Sequence, residues 1–346
     1  MRENANILIS CTVNLGDVVL ATAAVALLKE QYPTAGITML VKDSVAPILE
    51  DHPLLKEVLV LPNRPKERSL KKLWQFVKEI RKRRFDMAIL LDRKLRPALL
   101  AWLAGIPVRV GADRLFDNKP SSIRHLYTDV VKVPDDFLKT HQAELFQSVI
   151  RGYFHCEGSA RPSIGKLSEA HRERAQALLP ARREGAFRIA LCVKGTYYLK
   201  DWPQENWGEL LAQLDAMIDA DYVIVGAPAD AAYAEQIADK AKRPLKNLCG
   251  QTNLKELAAL IEAVDLFITI DTGAMHIAAT QPTPVIGLFR CVSANRWRPC
   301  SDSGDVLTIR LPECPAVTTP EDCPMQYCVD QIAVESVVER VLARLR

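Results

Sequence analysis

An α/β protein of two Rossmann-like domains, each a parallel sheet with helices on both faces, is what the sequence predicts. Three observations predict it. At 346 residues the chain is longer than one core usually holds. Short runs rich in Ile, Leu and Val, apolar on both faces, alternate with stretches of helical periodicity. That alternation fades near the middle and restarts beyond SARPSIGKLS (159–168), which reads as a linker.

In order, the first half shows NILISC (6–11), a helix from Asp17 to about Tyr32, GITMLV (36–41), VLVLP (58–62), a basic helix, DMAILLD (86–92) and a helix through Leu99 to Leu103. Between about 113 and 139 the pattern weakens, with Pro120, Pro134 and many charges, before a helix over about 140–155. The second half gives a helix at 168–179, FRIALCV (187–193), a helix at 204–217, DYVIVGA (221–227), helices at 230–241 and 253–263, LFITI (266–270), a helix at 274–280 and PVIGLF (284–289). The expected division is 1–162 and 163–346. The last segment, VDQIAVESVVERVLARLR, is an amphipathic helix with Ile332, Val337, Val338, Val341 and Leu345 on its apolar side. It would close the second domain or cross back to the first.

Composition excludes several classes. A formal charge of +3, with 49% hydrophobic and 25% charged residues, is that of an ordinary globular protein and not of a nucleic-acid binder. The charge is uneven, however. Residues 64–84, RPKERSLKKLWQFVKEIRKRR, hold ten Lys or Arg against Glu67 and Glu79. Trp74, Phe76, Val77 and Ile80 are expected as the buried stripe of that helix, and the basic residues as its outer side: a solvated face, or one that meets anionic lipid or a phosphorylated acceptor. The opening MRENANILISC has no secretory-signal pattern and no run of about 18 apolar residues exists, so the expected location is the cytoplasm. The inner face of the cytoplasmic membrane would be met through 64–84. Nine scattered cysteines are expected as thiols, and the spacings within Cys300, Cys314, Cys323 and Cys328 do not match a zinc knuckle.

Three stretches could carry chemistry. In NLGDVVLATAAVALLKEQYP (14–33), Gly16 and Asp17 follow the first strand and open the first helix; without GxGxxG there is no dinucleotide fingerprint. Asp17 is either a residue that favours the helix dipole or a general base. In VKGTYYLKDWPQENW (193–207), Lys194, Thr196 and Lys200 lie between a strand and a helix marked by Trp202-Pro203, where the lysines are either solvated loop residues or a source of positive potential that suits a diphosphate. In ITIDTGAMHIAA (268–279), Asp271, Thr272, Gly273 and His276 sit at a strand-to-helix turn, the place where doubly wound sheets bind ligands. Asp271 could accept from sugar hydroxyls, and His276 is either a ligand contact or a satisfied core histidine. No metal is expected: HExxH is absent, and the one DxD, Asp219-Ala220-Asp221, precedes its strand.

Together these stretches, with VIVGAPAD, LCGQTNLKELAALIEAVDLFITIDTGAMHIAA and PVIGLF in order, resemble the ADP-heptose:lipopolysaccharide heptosyltransferases, glycosyltransferase family nine. The resemblance implies a GT-B fold with its two domains facing across a cleft, an N-terminal acceptor domain and a C-terminal donor domain. It implies inverting, metal-independent transfer of a heptosyl residue from ADP-heptose to a lipopolysaccharide inner-core acceptor, with no cofactor. Carried onto matching positions, Asp17 is the base, and Lys200 neutralises the departing diphosphate beside Thr196. Asp271, Thr272, Gly273 and His276 form the donor turn, Asp230 contacts the nucleotide ribose, and His141 fits a recurrent position. Gly16, Arg93, Lys94 and Arg96 are expected at the anionic glycolipid acceptor, together with the basic segment 64–84. The partners would be that nucleotide sugar and glycolipid, and no nucleic acid. Another nucleotide sugar as donor, an epimerase on the same fold, or a sugar-nucleotide binder without turnover are the alternatives.

Overall fold

The computed structural model describes residues 4–62, 69–114, 119–136, 139–243, 245–309 and 328–346. The start of the basic segment, and Cys314 and Cys323, lie outside the described residues. The chain forms two compact units, Met1–Lys166 and Leu167–Arg346.

The first unit runs β1 (Asn6–Ser10), α1 (Leu15–Gln31), β2 (Gly36–Lys42), β3 (Glu57–Leu61), α2 (Leu70–Lys82), β4 (Met87–Leu90), α3 (Leu95–Leu103), β5 (Val108–Ala112), β6 (Asp129–Val131) and α4 (Gln142–Phe154). Its six strands are ordered β3-β2-β1-β4-β5-β6 and pair in parallel, Ile7 standing opposite both Ile37 and Met87. Helix α1 is apolar nearly all round because it packs against α4 as well as against the sheet, so Val18, Leu20, Ala24 and Leu28 are all buried.

The second unit repeats the plan. After α5 (Glu169–Leu178) come β7 (Phe187–Cys192), α6 (Gln204–Asp215), β8 (Ala220–Ile224), α7 (Ala231–Ala241), β9 (Lys246–Asn247), α8 (Leu254–Glu262), β10 (Leu266–Ile270), α9 (Gly273–Ala278), β11 (Val285–Arg290), α10 (Cys291–Trp297), β12 (Gly304–Ile309) and α11 (Val334–Leu345). The order β12-β11-β10-β7-β8-β9, again parallel, is that of the first sheet when each is counted from its own first strand. In both, the connections reverse direction between the first and fourth strands, which opens a crevice beyond their carboxyl ends. Helix α11 closes this unit: Val337, Val338 and Val341 join its core, and Trp202 Nε1 donates to Ile332 O at 3.1 Å.

Three expectations change. Residues 163–166 belong with the first unit, because Ser163 bonds to Thr22 and His52, and Gly165 N donates to Ile48 O at 2.8 Å. The strands β5, β6, β9 and β12 carry no long apolar run; β6, β9 and β12 are short or lie at a sheet edge, where one neighbour suffices. Trp74 is not in the buried stripe of α2. That stripe is Leu73, Phe76, Val77 and Ile80, and Trp74, turned about 100° from Leu73, stands 48% exposed.

The tie at Gly165 leaves no room for a side chain, since a Cβ there would run into the carbonyl oxygen of Glu50. Gly165→Ala is expected to cost about 1–3 kcal/mol, the scale of overpacking. A urea denaturation midpoint equal to that of the parent would show that the contact is relaxed in solution.

Candidate active site

In the first unit the crevice lies between the ends of β1 and β4. Asn14 caps α1 in an extended conformation without a side-chain bond, so Gly16 and Asp17 fall in the first turn, both buried, Asp17 with 8% exposure. Below them Cys11 is enclosed, and burial above all, then the carboxylates of Asp17 and Asp92, pushes its thiol well up. That thiol is a packing group at neutral pH. Lys42, at the end of β2, has its ammonium pKa lowered by burial and then by Lys94, against an opposing pull from Asp17. Asp17, Lys42, Lys94 and Asp92 therefore share one electrostatic neighbourhood.

Asp92 escaped the sequence reading. Its carboxylate accepts from Thr12 N at 2.9 Å, Thr12 Oγ1 at 2.7 Å and Ser10 Oγ at 3.3 Å, which ties the end of β4 to the loop leading into Asp17. Burial raises its pKa, and the Thr12 bonds hold it down in part. The available signal was the acidic residue closing DMAILLD. Of the cations expected at the acceptor, Lys94 reaches Thr12 O at 3.3 Å, Arg93 is buried with a left-handed backbone at φ 53°, and Arg96, in the first turn of α3, donates to Pro62 O.

In the second unit the crevice lies between β7 and β10. Lys200, in a single 3-10 turn over Tyr198–Lys200, sets Nζ 2.7 Å from Asp271 Oδ2; the carboxylate is nearly enclosed, and the contact is an ion pair without an aligned hydrogen bond. Asp201, also unforeseen, holds the loop: its carboxylate meets Lys194 Nζ at 2.5 Å and accepts from Gly195 N at 3.0 Å. Thr196 stands exposed at the loop tip. Thr272 caps α9 from an extended conformation, its Oγ1 3.4 Å from Thr269 Oγ1 and 3.7 Å from Cys192 Sγ at the end of β7. Gly273 starts α9, and His276 is buried with its ring edge-on to Trp297 at 6.3 Å.

Asp230 ends the turn after β8, where Ala227 N donates to its Oδ2 at 2.8 Å. Beside it the Cys249 thiol is pushed up to about 12, by burial first and then by Asp230. Lys194, Lys200, Asp271 and Thr272 thus meet at one crevice, with Asp230 at the next strand end, and Thr196 stands outside this group at the exposed loop tip. His141 belongs to the first unit, where it caps α4 by accepting from Ala143 N at 3.3 Å. The DxD residues are taken up at the opposite end of the sheet, where Arg183 pairs with Asp219 at 2.8 Å and Asp221 at 2.9 Å. The open groove there, about 730 Å³, is lined by these paired charges and lies away from the strand ends that carry the site.

Known proteins resemble this chain in sequence and in fold. The sequence profile described as Glycosyltransferase family 9 (heptosyltransferase) matches residues 73–325. The chain is 25% identical over 296 residues, 83% of each chain, to "Lipopolysaccharide heptosyltransferase 3" of Escherichia coli strain K12. Among solved structures, a family 9 glycosyl transferase of Veillonella parvula superposes with a TM-score of 0.84 at 20% identity, covering 100% of this chain and 98% of that one. The E. coli ADP-heptose lps heptosyltransferase II superposes with a TM-score of 0.78 at 21% identity, covering 99% and 98%.

Proposed function

The chain belongs to glycosyltransferase family 9, the heptosyltransferases, and from that premise we propose that it moves a heptosyl residue from ADP-heptose to a lipopolysaccharide inner-core acceptor, with inversion and without a metal. The observation that carries this is the Lys200–Asp271 pair, which sets a cation at the strand-end crevice of the second sheet, the kind of place where doubly wound sheets bind ligands. The names of the relatives, a lipopolysaccharide heptosyltransferase and an ADP-heptose transferase, support the choice of acceptor and donor.

In the proposed step the carboxylate of Asp17 takes the proton of an acceptor hydroxyl as that oxygen attacks the anomeric carbon. The bond from that carbon to the diphosphate breaks on the opposite side, and its electrons move onto the terminal phosphate oxygen. Lys200 neutralises this growing charge, a task a metal performs in other transferases. Thr196, Thr272 and Gly273 would line the diphosphate, Asp271 and His276 the sugar, and Asp230 the ribose. Gly16, Arg93, Lys94 and Arg96 would hold the acid groups of the acceptor, and the reaction would run in the cytoplasm.

Titration calorimetry with ADP, UDP and GDP tests the donor assignment. Preference for ADP, equal with and without divalent metal, is the expected result. Preference for another nucleotide, or binding only with metal, overturns it.

A further inference from the structure

Helices α2 and α3 cover the same side of the first sheet, their inner side chains meeting in one cluster that includes Phe76, Val77, Ile80, Ala98, Leu100 and Ala101. Their outer faces are unusual. Trp74 is 48% exposed, Leu95 59% and Trp102 51%, and these are three of only seven large hydrophobic side chains so exposed among the described residues. Trp74, Lys78 and Arg81 follow i, i+4, i+7 spacing and form one stripe, while Leu95 and Trp102, seven apart, form a second on α3. Arg81 Nη2 donates to Leu103 O at 2.7 Å, so the first stripe borders the last turn of α3.

Around the aromatic rings the charge has one sign. From Ser69 to Arg84 the chain holds seven Lys or Arg against Glu79 alone, and Lys71, Lys72, Lys78, Arg81 and Lys82 are all exposed. We propose that this two-helix face docks on an anionic lipid bilayer, with Trp74, Leu95 and Trp102 entering the headgroup region and Lys71, Lys78, Arg81 and Lys82 meeting lipid phosphates.

Tryptophan is the side chain that settles at the boundary of water and hydrocarbon, and lysine stems reach along apolar surface to keep their charge in water. A protein partner would call for an apolar centre with lysine depleted, whereas here lysines interleave with the rings. Single-stranded nucleic acid would use the rings for stacking but has no use for Leu95. No helix among the described residues is long and apolar enough to cross a membrane, so the contact proposed is that of a surface. The inference uses neither Asp17 nor Lys200, so it stands or falls apart from the transfer reaction.

The test is flotation of the full chain with vesicles of phosphatidylglycerol in phosphatidylcholine, and with phosphatidylcholine alone. Partitioning to the anionic vesicles, weaker to the neutral ones and weakened by salt, is expected. The pair Trp74→Ser and Trp102→Ser should lower it by at least about tenfold. Lys71→Glu with Lys78→Glu should do the same at an unchanged melting temperature, which keeps the test decisive even if the first pair loses its fold. Absent partitioning, partitioning equal for both lipids, partitioning that neither pair of changes reduces, or tighter capture of a single-stranded oligonucleotide than of anionic vesicles would each overturn the proposal.

Discussion

Asp17→Asn is expected to lower kcat by about 10²–10⁴-fold, the usual contribution of a general base, and to leave affinity for ADP unchanged. Affinity is spared because every residue assigned to the donor belongs to the second unit, whereas Asp17 opens α1 in the first. The amide keeps the volume of the carboxylate in its buried first-turn position, so the fold should lose only the favourable charge at the helix start, about 0.3–1 kcal/mol. A melting curve close to that of the parent, together with the collapse in single-turnover rate, separates lost proton transfer from lost structure. Turnover within tenfold of the parent would end the assignment of Asp17 as base and leave it as a residue that favours the helix dipole.

The sheet centres were legible in the sequence, and the physical reason is burial. Runs such as NILISC, FRIALC and LFITI are covered on both faces, so selection for apolar side chains acts at every position and not at alternate ones. Beside edge strands the same reasoning fails. The two-residue strand β9 and the terminal strand β12 each bond to one neighbour, and their residues carry Lys246, Asn247 and Asp305 without penalty. Trp74 shows a different limit: helical spacing identifies which residues share a face, but a ring next to the buried stripe can stand outward if its surroundings accept it.

At the site, position was legible and partnership was not. The strand-to-helix turns announced Asp17, Lys200 and Asp271 because such turns lie beyond strand ends. Nothing in a linear spacing announces that Lys200 and Asp271 meet, since their contact arises only when β10 pairs with β7. Asp92 and Asp201 were missed for the same reason. An acidic residue after a strand looks like any turn residue, and its importance lies in the backbone it captures: Thr12 N for Asp92, Gly195 N for Asp201.

The Lys200–Asp271 pair also supplies the second large effect. Lys200→Ala is expected to lower kcat by about 10²–10³-fold, the scale of losing one preorganised partner of the leaving-group charge. It should weaken ADP binding as well, because the site loses a cation and keeps a carboxylate that no longer has its counter-charge. That Asp271 side chain is 6% exposed, so stranding it costs stability too, on the order of 3–5 kcal/mol for a buried pair broken from one side. The stability loss by itself would fit a purely structural pair. Lys200→Ala combined with Asp271→Asn distinguishes the two roles, since the neutral amide removes the stranded charge. Melting temperature should recover most of the way while kcat stays well below that of the Asp271→Asn single variant if Lys200 acts on the diphosphate. Recovery of both together would reduce the pair to a brace between two loops, and the charge developing on the leaving group would have to be met by another group at the crevice.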